Sequence, residues 1–181
     1  DGNYLPSMGL LYIAALLEKN GFEARVFDEN YGAGVIEGIK KFSPDIAGLT
    51  AVTAAVKRAA YLASEIKKTS AKRVTTVIGG AHPSAMPEET ASFEGVDYAV
   101  SGEGELTMLE LCNSLRDGEK ENALEEIPNL SFKTSAGLQK TGRSKFLTGG
   151  ELDWLPYPAF HLLDIERVFS ISVHGLYSMG K

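Results

Sequence analysis

Val74-Thr-Thr-Val-Ile-Gly-Gly-Ala-His-Pro-Ser-Ala85 is the stretch whose reading decides the fold. Its β-branched run, Val74 to Ile78, stops at two glycines and then a proline. That is the pattern of a buried parallel strand ending at the edge of a sheet. Two glycines at a strand's carboxyl end leave the backbone bare. Either they turn the chain sharply, or they let a broad ligand approach.

Working outward, Asp45-Ile-Ala-Gly-Leu49 reads as a second apolar strand of the central, parallel kind, and it runs into Thr50-Ala-Val-Thr53. Between the two strands, Ala54 to Lys68 places Ala55, Ala59, Leu62, Ala63 and Ile66 on one helical face. Downstream, the pattern predicts a helical turn over Pro87 to Phe93 and a strand over Asp97 to Val100. The loop Ser101-Gly-Glu-Gly-Glu105 and a helix over Leu106 to Arg116 follow. Upstream, Met8 to Asn20 reads as a helix stopped by Asn20-Gly21, and Phe22 to Phe27 as a strand. Val35 to Phe42 is a helix closed by Ser43-Pro44.

Strands alternating with helices predict an α/β fold with a doubly wound parallel sheet. Right-handed crossovers bring every strand's carboxyl end to one edge. Thr50–Thr53, Gly79–His82 and Gly102–Glu105 therefore meet there, at the edge where open sheets of this kind bind ligands. Together they describe a broad floor of backbone and hydroxyls, suited to a flat cofactor.

From Asp117 the texture changes. Asn129 to Lys133, a turn at Thr134 to Gly137, and Leu138 to Thr141 predict a β-hairpin. Loops rich in Gly, Pro and aromatics follow, and Val168 to Val173 reads as a last strand. The division expected is an α/β domain over 1–120, with a hairpin and irregular linker over 121–181.

Composition removes other classes. A net charge of −6 supplies no basic field for nucleic acid, and no apolar run is long enough to span a bilayer. Cys112 is the only cysteine, so one chain forms no internal disulfide and no cysteine-only zinc or iron–sulfur site. A reducing, cytoplasmic setting is the default. A dinucleotide fingerprint fails because Thr107 stands where the third glycine belongs, and no Walker lysine is present. His82 is placed either to reach an upper ligand or simply to close a turn before Pro83. Glu103 and Glu105 serve as general bases or as the acidic first turn of a helix. A small hydrolase or isomerase using His82 and Glu103 lacks a nucleophile in a strained Gly-x-Ser-x-Gly turn. His161 and His174 read as surface or packing residues.

Four motifs occurring in order carry a resemblance. Leu5-Pro-Ser-Met-Gly-Leu-Leu-Tyr-Ile-Ala-Ala-Leu-Leu-Glu-Lys-Asn-Gly21, Ser43-Pro-Asp-Ile-Ala-Gly-Leu-Thr50, Val77-Ile-Gly-Gly-Ala-His-Pro83 and Asp97-Tyr-Ala-Val-Ser-Gly-Glu-Gly-Glu105 resemble the cobalamin-binding domain of radical S-adenosylmethionine enzymes. The anaerobic magnesium-protoporphyrin monomethyl ester cyclase belongs to the same class. Ile127-Pro-Asn-Leu-Ser-Phe132 and Leu155-Pro-Tyr-Pro-Ala-Phe-His-Leu-Leu-Asp164 resemble the segment that joins this domain to the catalytic barrel.

The resemblance implies a flavodoxin-like (Rossmann-like) sheet that holds cobalamin. The cofactor-binding residues it implies are Thr50, Ala51, Val52, Thr53, Gly79, Gly80, Ala81, His82, Gly102, Glu103 and Gly104. A side chain at Gly80 is then expected to clash with the corrin and leave the sheet intact. The Asp-x-His-x-x-Gly motif of cobalamin methyltransferases and mutases is absent before the first helix, as are the cysteines of the radical cluster. Iron–sulfur cluster and S-adenosylmethionine thus belong to a catalytic domain outside this chain, which by itself is not expected to catalyse. The alternative is a cofactor-free domain that orients substrate or docks the barrel. In this fold a strand precedes the first helix, but Asp1 to Ser7 is too polar to supply it. That strand is expected upstream of Asp1, with Phe169 to Val173 or a neighbouring chain, through strand exchange or a homodimer, as substitutes.

Overall fold

The computed structural model describes residues 6–29, 34–118, 121–143, 147–164 and 166. Strands β1 (Ile46–Thr50), β2 (Thr75–Gly79) and β3 (Tyr98–Val100) run parallel. Strands β4 (Leu130–Thr134) and β5 (Gly137–Lys140) continue the sheet antiparallel, in the order β1-β2-β3-β4-β5. The hairpin read from the sequence is therefore part of the main sheet. Leu130 and Phe132 are buried in its core, and Phe132 stacks obliquely on Tyr98 at 5.7 Å.

The helices are α1 (Met8–Lys19), α2 (Val35–Phe42), α3 (Val56–Thr69), α4 (Ala81–Ala85), α5 (Pro87–Ser92), α6 (Glu105–Arg116), α7 (Glu121–Glu126) and α8 (Gly150–Asp153). Because successive strand residues face opposite sides, Val77 and Ile78 enter different cores. Val77, Tyr98 and Val100 pack against Met108, Leu111 and Cys112 of α6, with Ile13 and Leu17 of α1 closing that side. Ile78 packs against Val56, Ala59, Ala60 and Ala63 of α3 on the other face. Helices on both faces make this the open α/β sheet expected.

The element over Ala81–Ala85 was not expected. Pro83 reads as a stop after a strand, but a proline in the first turn of a helix gives up no intrahelical bond. The chain leaves β2 through Gly80 and winds directly into α4. Two further expectations are corrected. Phe22 to Phe27 forms no ladder among the described residues, although its residues alternate between half-buried and exposed as a strand's would. β1, read as a central strand, pairs only with β2 among the described residues, and none of its side chains is buried. The expectations for Val168 to Val173, for His174 and for residues 1–5 lie outside the described residues.

The polypeptide over 149–164 returns across α1. Ala159 N–H donates to the Leu11 carbonyl at 3.1 Å, and the Lys19 ammonium sits 4.9 Å over the Trp154 ring. His161 Nε2 lies 3.0 Å from a Glu18 carboxylate oxygen, so this histidine fastens the tail to the helix surface.

Candidate functional site

The carboxyl ends of the parallel strands bring the three loops together. After β1, Ala51 N–H donates to the Gly79 carbonyl at 2.9 Å, and the Ala51 carbonyl accepts from His82 N–H at 3.1 Å. The first loop is thus bonded to the second through its own backbone. The second loop is tied to the third by Ser84. Its hydroxyl donates to the Gly80 carbonyl at 2.8 Å and accepts from Gly102 N–H at 2.8 Å. Ser84 is absent from the site residues read from the sequence. The signal lay in its position, one helical turn past Gly80, where a hydroxyl back-bonds to the i−4 carbonyl.

The two glycines of the floor differ. Gly80 has φ +105°, and a Cβ there would lie 2.7 Å from Thr50 Oγ1, 2.9 Å from the Ala51 carbonyl oxygen and 3.0 Å from Ala51 N. Its smallness is a demand of the backbone. The expectation that a side chain at Gly80 leaves the sheet intact is therefore corrected: such a side chain pushes β1 and β2 apart. Gly79 is under no such demand. A Cβ on Gly79 would make only ordinary contacts, 3.9 Å from Val100 Cβ and from the Val100 carbonyl oxygen. Gly104 borders the same residue from the third loop, its Cβ position lying 3.8 Å from Val100 Cγ1 and 3.2 Å from Ile13 Cδ1.

Of the remaining positions, Thr50, Val52, Thr53, Ala81 and Gly102 are exposed at this edge, while Ala51 is buried. Val52 presents an apolar side chain, 58% exposed, to solvent. His82 is 5% exposed, so its imidazole does not reach out over the edge. Nδ1 lies 3.3 Å from Thr53 Oγ1, Nε2 has no hydrogen-bond partner, and the nearest carboxylate oxygen, on Glu89, is 4.0 Å away. Glu103 accepts from Leu147 N–H at 2.8 Å, which holds the third loop against the tail. Glu105 lies in the first turn of α6, where the helix dipole favours a carboxylate. Among the described residues, no three His, Cys, Asp or Glu side chains are placed to hold a metal ion. Cys112 is buried on the core face of α6, and burial pushes its thiol up to about 11. No described helix is long and apolar enough to cross a membrane.

A fold of this kind, with small-residue loops gathered on its carboxyl edge, defines a cofactor-binding α/β domain. The family is given by comparison: residues 1–112 match the model of the B12 binding domain, and the chain belongs to that family. Cobalamin is its cofactor.

Relatives extend the likeness. An uncharacterized methyltransferase of Pyrococcus horikoshii is 31% identical over 90% of this chain and 35% of its own length. The cytidylyl-2-hydroxyethylphosphonate methyltransferase of Streptomyces wedmorensis is 28% identical over 96% of this chain and 40% of its own length. The anaerobic magnesium-protoporphyrin IX monomethyl ester cyclase of Rubrivivax gelatinosus is 32% identical over 65% of this chain and 22% of its own. The chain thus spans well under half the length of these relatives.

Among solved structures, the cobalamin-dependent S-adenosylmethionine radical enzyme OxsB superposes with a TM-score of 0.73 at 18% identity, over 91% of this chain and 22% of its own. The radical S-adenosylmethionine methyltransferase TsrM of Kitasatospora setae gives 0.66 at 22% identity, over 78% of this chain and 28% of its own. At such identities the likeness concerns the fold.

Proposed function

We propose that Thr50–Thr53, Gly79–His82 and Gly102–Gly104 form the floor on which cobalamin lies, and that the domain presents the corrinoid to a radical S-adenosylmethionine domain in a longer enzyme. The observation that carries this reading is Gly79. It ends β2 at the ligand edge, is half-exposed, and is small although its own packing would accept a side chain. The space it leaves beside Val100, with Gly104 on the far side, suits a ligand.

Each residue has a part in that reading. The exposed Thr50 and Thr53 offer hydroxyls, and Val52 offers an apolar contact. The N–H groups of Ala51 and Gly102 are already engaged with Gly79 and Ser84. These positions therefore shape the floor more than they donate to it. Buried His82 is a positioning residue that holds Thr53 through Nδ1. Its unpartnered Nε2 leaves one polar atom for the bound state to satisfy. When bound, cobalamin supplies cobalt-centred chemistry, and the relatives' names point to methyl transfer or cyclisation.

The rest of the enzyme lies beyond this chain, and residues 121–181 lead toward it. Leu152, Trp154, Tyr157 and Phe160 are large apolar side chains exposed along that tail, as at a surface another domain covers. The protein acts in the cytoplasm, where Cys112 stays reduced.

The test is an absorbance spectrum after incubation with hydroxocobalamin and desalting. Corrin bands that stay with the protein at a one-to-one ratio are expected. A colourless protein that still binds the catalytic domain would instead make this a cofactor-free docking domain.

A further inference from the structure

The three loops of the carboxyl edge are joined in different ways. The first and second share backbone bonds, from Ala51 N–H to the Gly79 carbonyl and from His82 N–H to the Ala51 carbonyl. Gly80 locks them further, because its φ of +105° and its closeness to Thr50 and Ala51 leave the turn no slack. The third loop meets them through a side chain, that of Ser84.

Ser84 lies in α4, one turn past Gly80. The Gly80 carbonyl accepts from Ser84 N–H at 3.1 Å and from its hydroxyl at 2.8 Å. The hydroxyl proton is thereby committed. What the oxygen presents to the third loop is a lone pair, and it accepts from Gly102 N–H at 2.8 Å. One hydroxyl thus links the fixed turn at Gly80 to the loop opposite.

On the receiving side, backbone bonds set the two ends of the loop. Ser101 N–H donates to the Asn129 carbonyl at 3.0 Å, and the Gly104 carbonyl accepts from Met108 N–H at 2.8 Å as α6 begins. Side chains hold its middle, Ser84 on Gly102 and Glu103 on Leu147 N–H. Packing does not set Gly102. It is exposed, has φ +68°, and nothing lies within 4 Å of its Cβ position. An exposed bond of this kind adds little to stability, because water takes its place when it is lost. Its effect is on where Gly102 sits.

We infer that Ser84 is a positioning residue for cobalamin: its hydroxyl fixes the third loop at the spacing from the first two that the corrinoid needs, without touching the ligand. The inference rests on the floor proposed above. A threonine at position 84 keeps a hydroxyl able to bond the carbonyl four residues back. A valine has nearly the same shape and no hydroxyl.

The test titrates hydroxocobalamin into the full-length protein and its Ser84→Ala, Ser84→Val, Ser84→Thr and Gly79→Leu variants, with a thermal melt of each. Ser84→Ala and Ser84→Val are expected to bind about fivefold to tenfold more weakly with Tm near that of wild type, and Ser84→Thr to bind within about twofold of wild type. Without cobalamin, hydrogen exchange over 101–104 should be severalfold faster in Ser84→Val than in Ser84→Thr, with 46–51 unchanged. Should Ser84→Val not fold, Ser84→Ala against wild type carries both comparisons. Folded Ser84→Val and Ser84→Ala that bind like Ser84→Thr, while Gly79→Leu loses cobalamin, would overturn the inference and leave the floor standing. Affinity that falls only in step with Tm would also overturn it, by making Ser84 a purely structural residue. A wild type that binds no cobalamin, or full affinity in a folded Gly79→Leu, would remove the floor and the inference with it.

Discussion

β1 and β2 lie side by side in register, from Ile46 against Thr75 to Thr50 against Gly79, yet their environments are opposite. Thr76, Val77 and Ile78 are buried within 1% exposure, whereas β1 has no buried residue. Both sequences are short apolar runs, and both strands end at the same carboxyl edge of the sheet. The difference is one of neighbours. β2 has a strand on each side, and β1 has a strand on one side and a cavity on the other. Burial of a strand is a property of its place in the sheet, and an apolar run shows only where it can go.

The comparison breaks most severely at Gly80, where β2 leaves the sheet beside β1. Gly80→Leu is expected to cost more than about 4 kcal/mol, because the side chain enters left-handed backbone and overlaps Ala51 main-chain atoms. A thermal melt should show no cooperative transition, and a transition near that of wild type would refute the assigned role. Next comes the pair Ile78→Ala and Leu49→Ala. Truncating the fully buried Ile78 should cost about 3–4 kcal/mol, and truncating the half-buried Leu49 about 1–2, in denaturant titrations of this chain.

A pH-dependent effect concerns Cys112, on the core-facing side of α6. Its folded thiol titrates at about 11 and an unfolded one near 9, so the unfolded state loses its proton first as pH rises. Stability from this group is complete below pH 9 and is lost between about 9 and 11, to a total of about 2–3 kcal/mol. The difference in stability between wild type and Cys112→Ala should shrink over that window. A constant difference would place the thiol in water.

The same two strands show what could be read in advance. The stop at Gly79-Gly80, the helix faces of α1, α3 and α6, and the meeting of three loops on one edge follow from periodicity and turn residues. So does the hairpin, although its pairing with β3 does not, because a turn signal specifies a hairpin and leaves its sheet partner open. The residues at segment 22–28 do alternate as a strand's would, but a strand also needs a ladder, and sequence pattern carries no information on whether the partner is present. The convergence of the three loops was legible as a set of positions, and the proposed corrinoid floor rests on it. Which glycine serves the backbone and which leaves room for a ligand was not, because φ at Gly80 and the open space at Gly79 depend on where Thr50, Ala51 and Val100 lie. His82 reads from the sequence either as reaching a ligand or as closing a turn before Pro83, and it is buried. Its burial comes from α4, a helix hidden in the sequence by Pro83.

The assignment of the corrinoid floor is tested most directly at Gly79, by titrating hydroxocobalamin into the full-length protein and its Gly79→Ala and Gly79→Leu variants, with circular dichroism to verify the fold. The account predicts that both variants fold, that alanine weakens binding slightly, and that leucine weakens it at least tenfold, about 1.4 kcal/mol. Equal affinity for wild type and a folded Gly79→Leu would contradict it and place the corrinoid elsewhere.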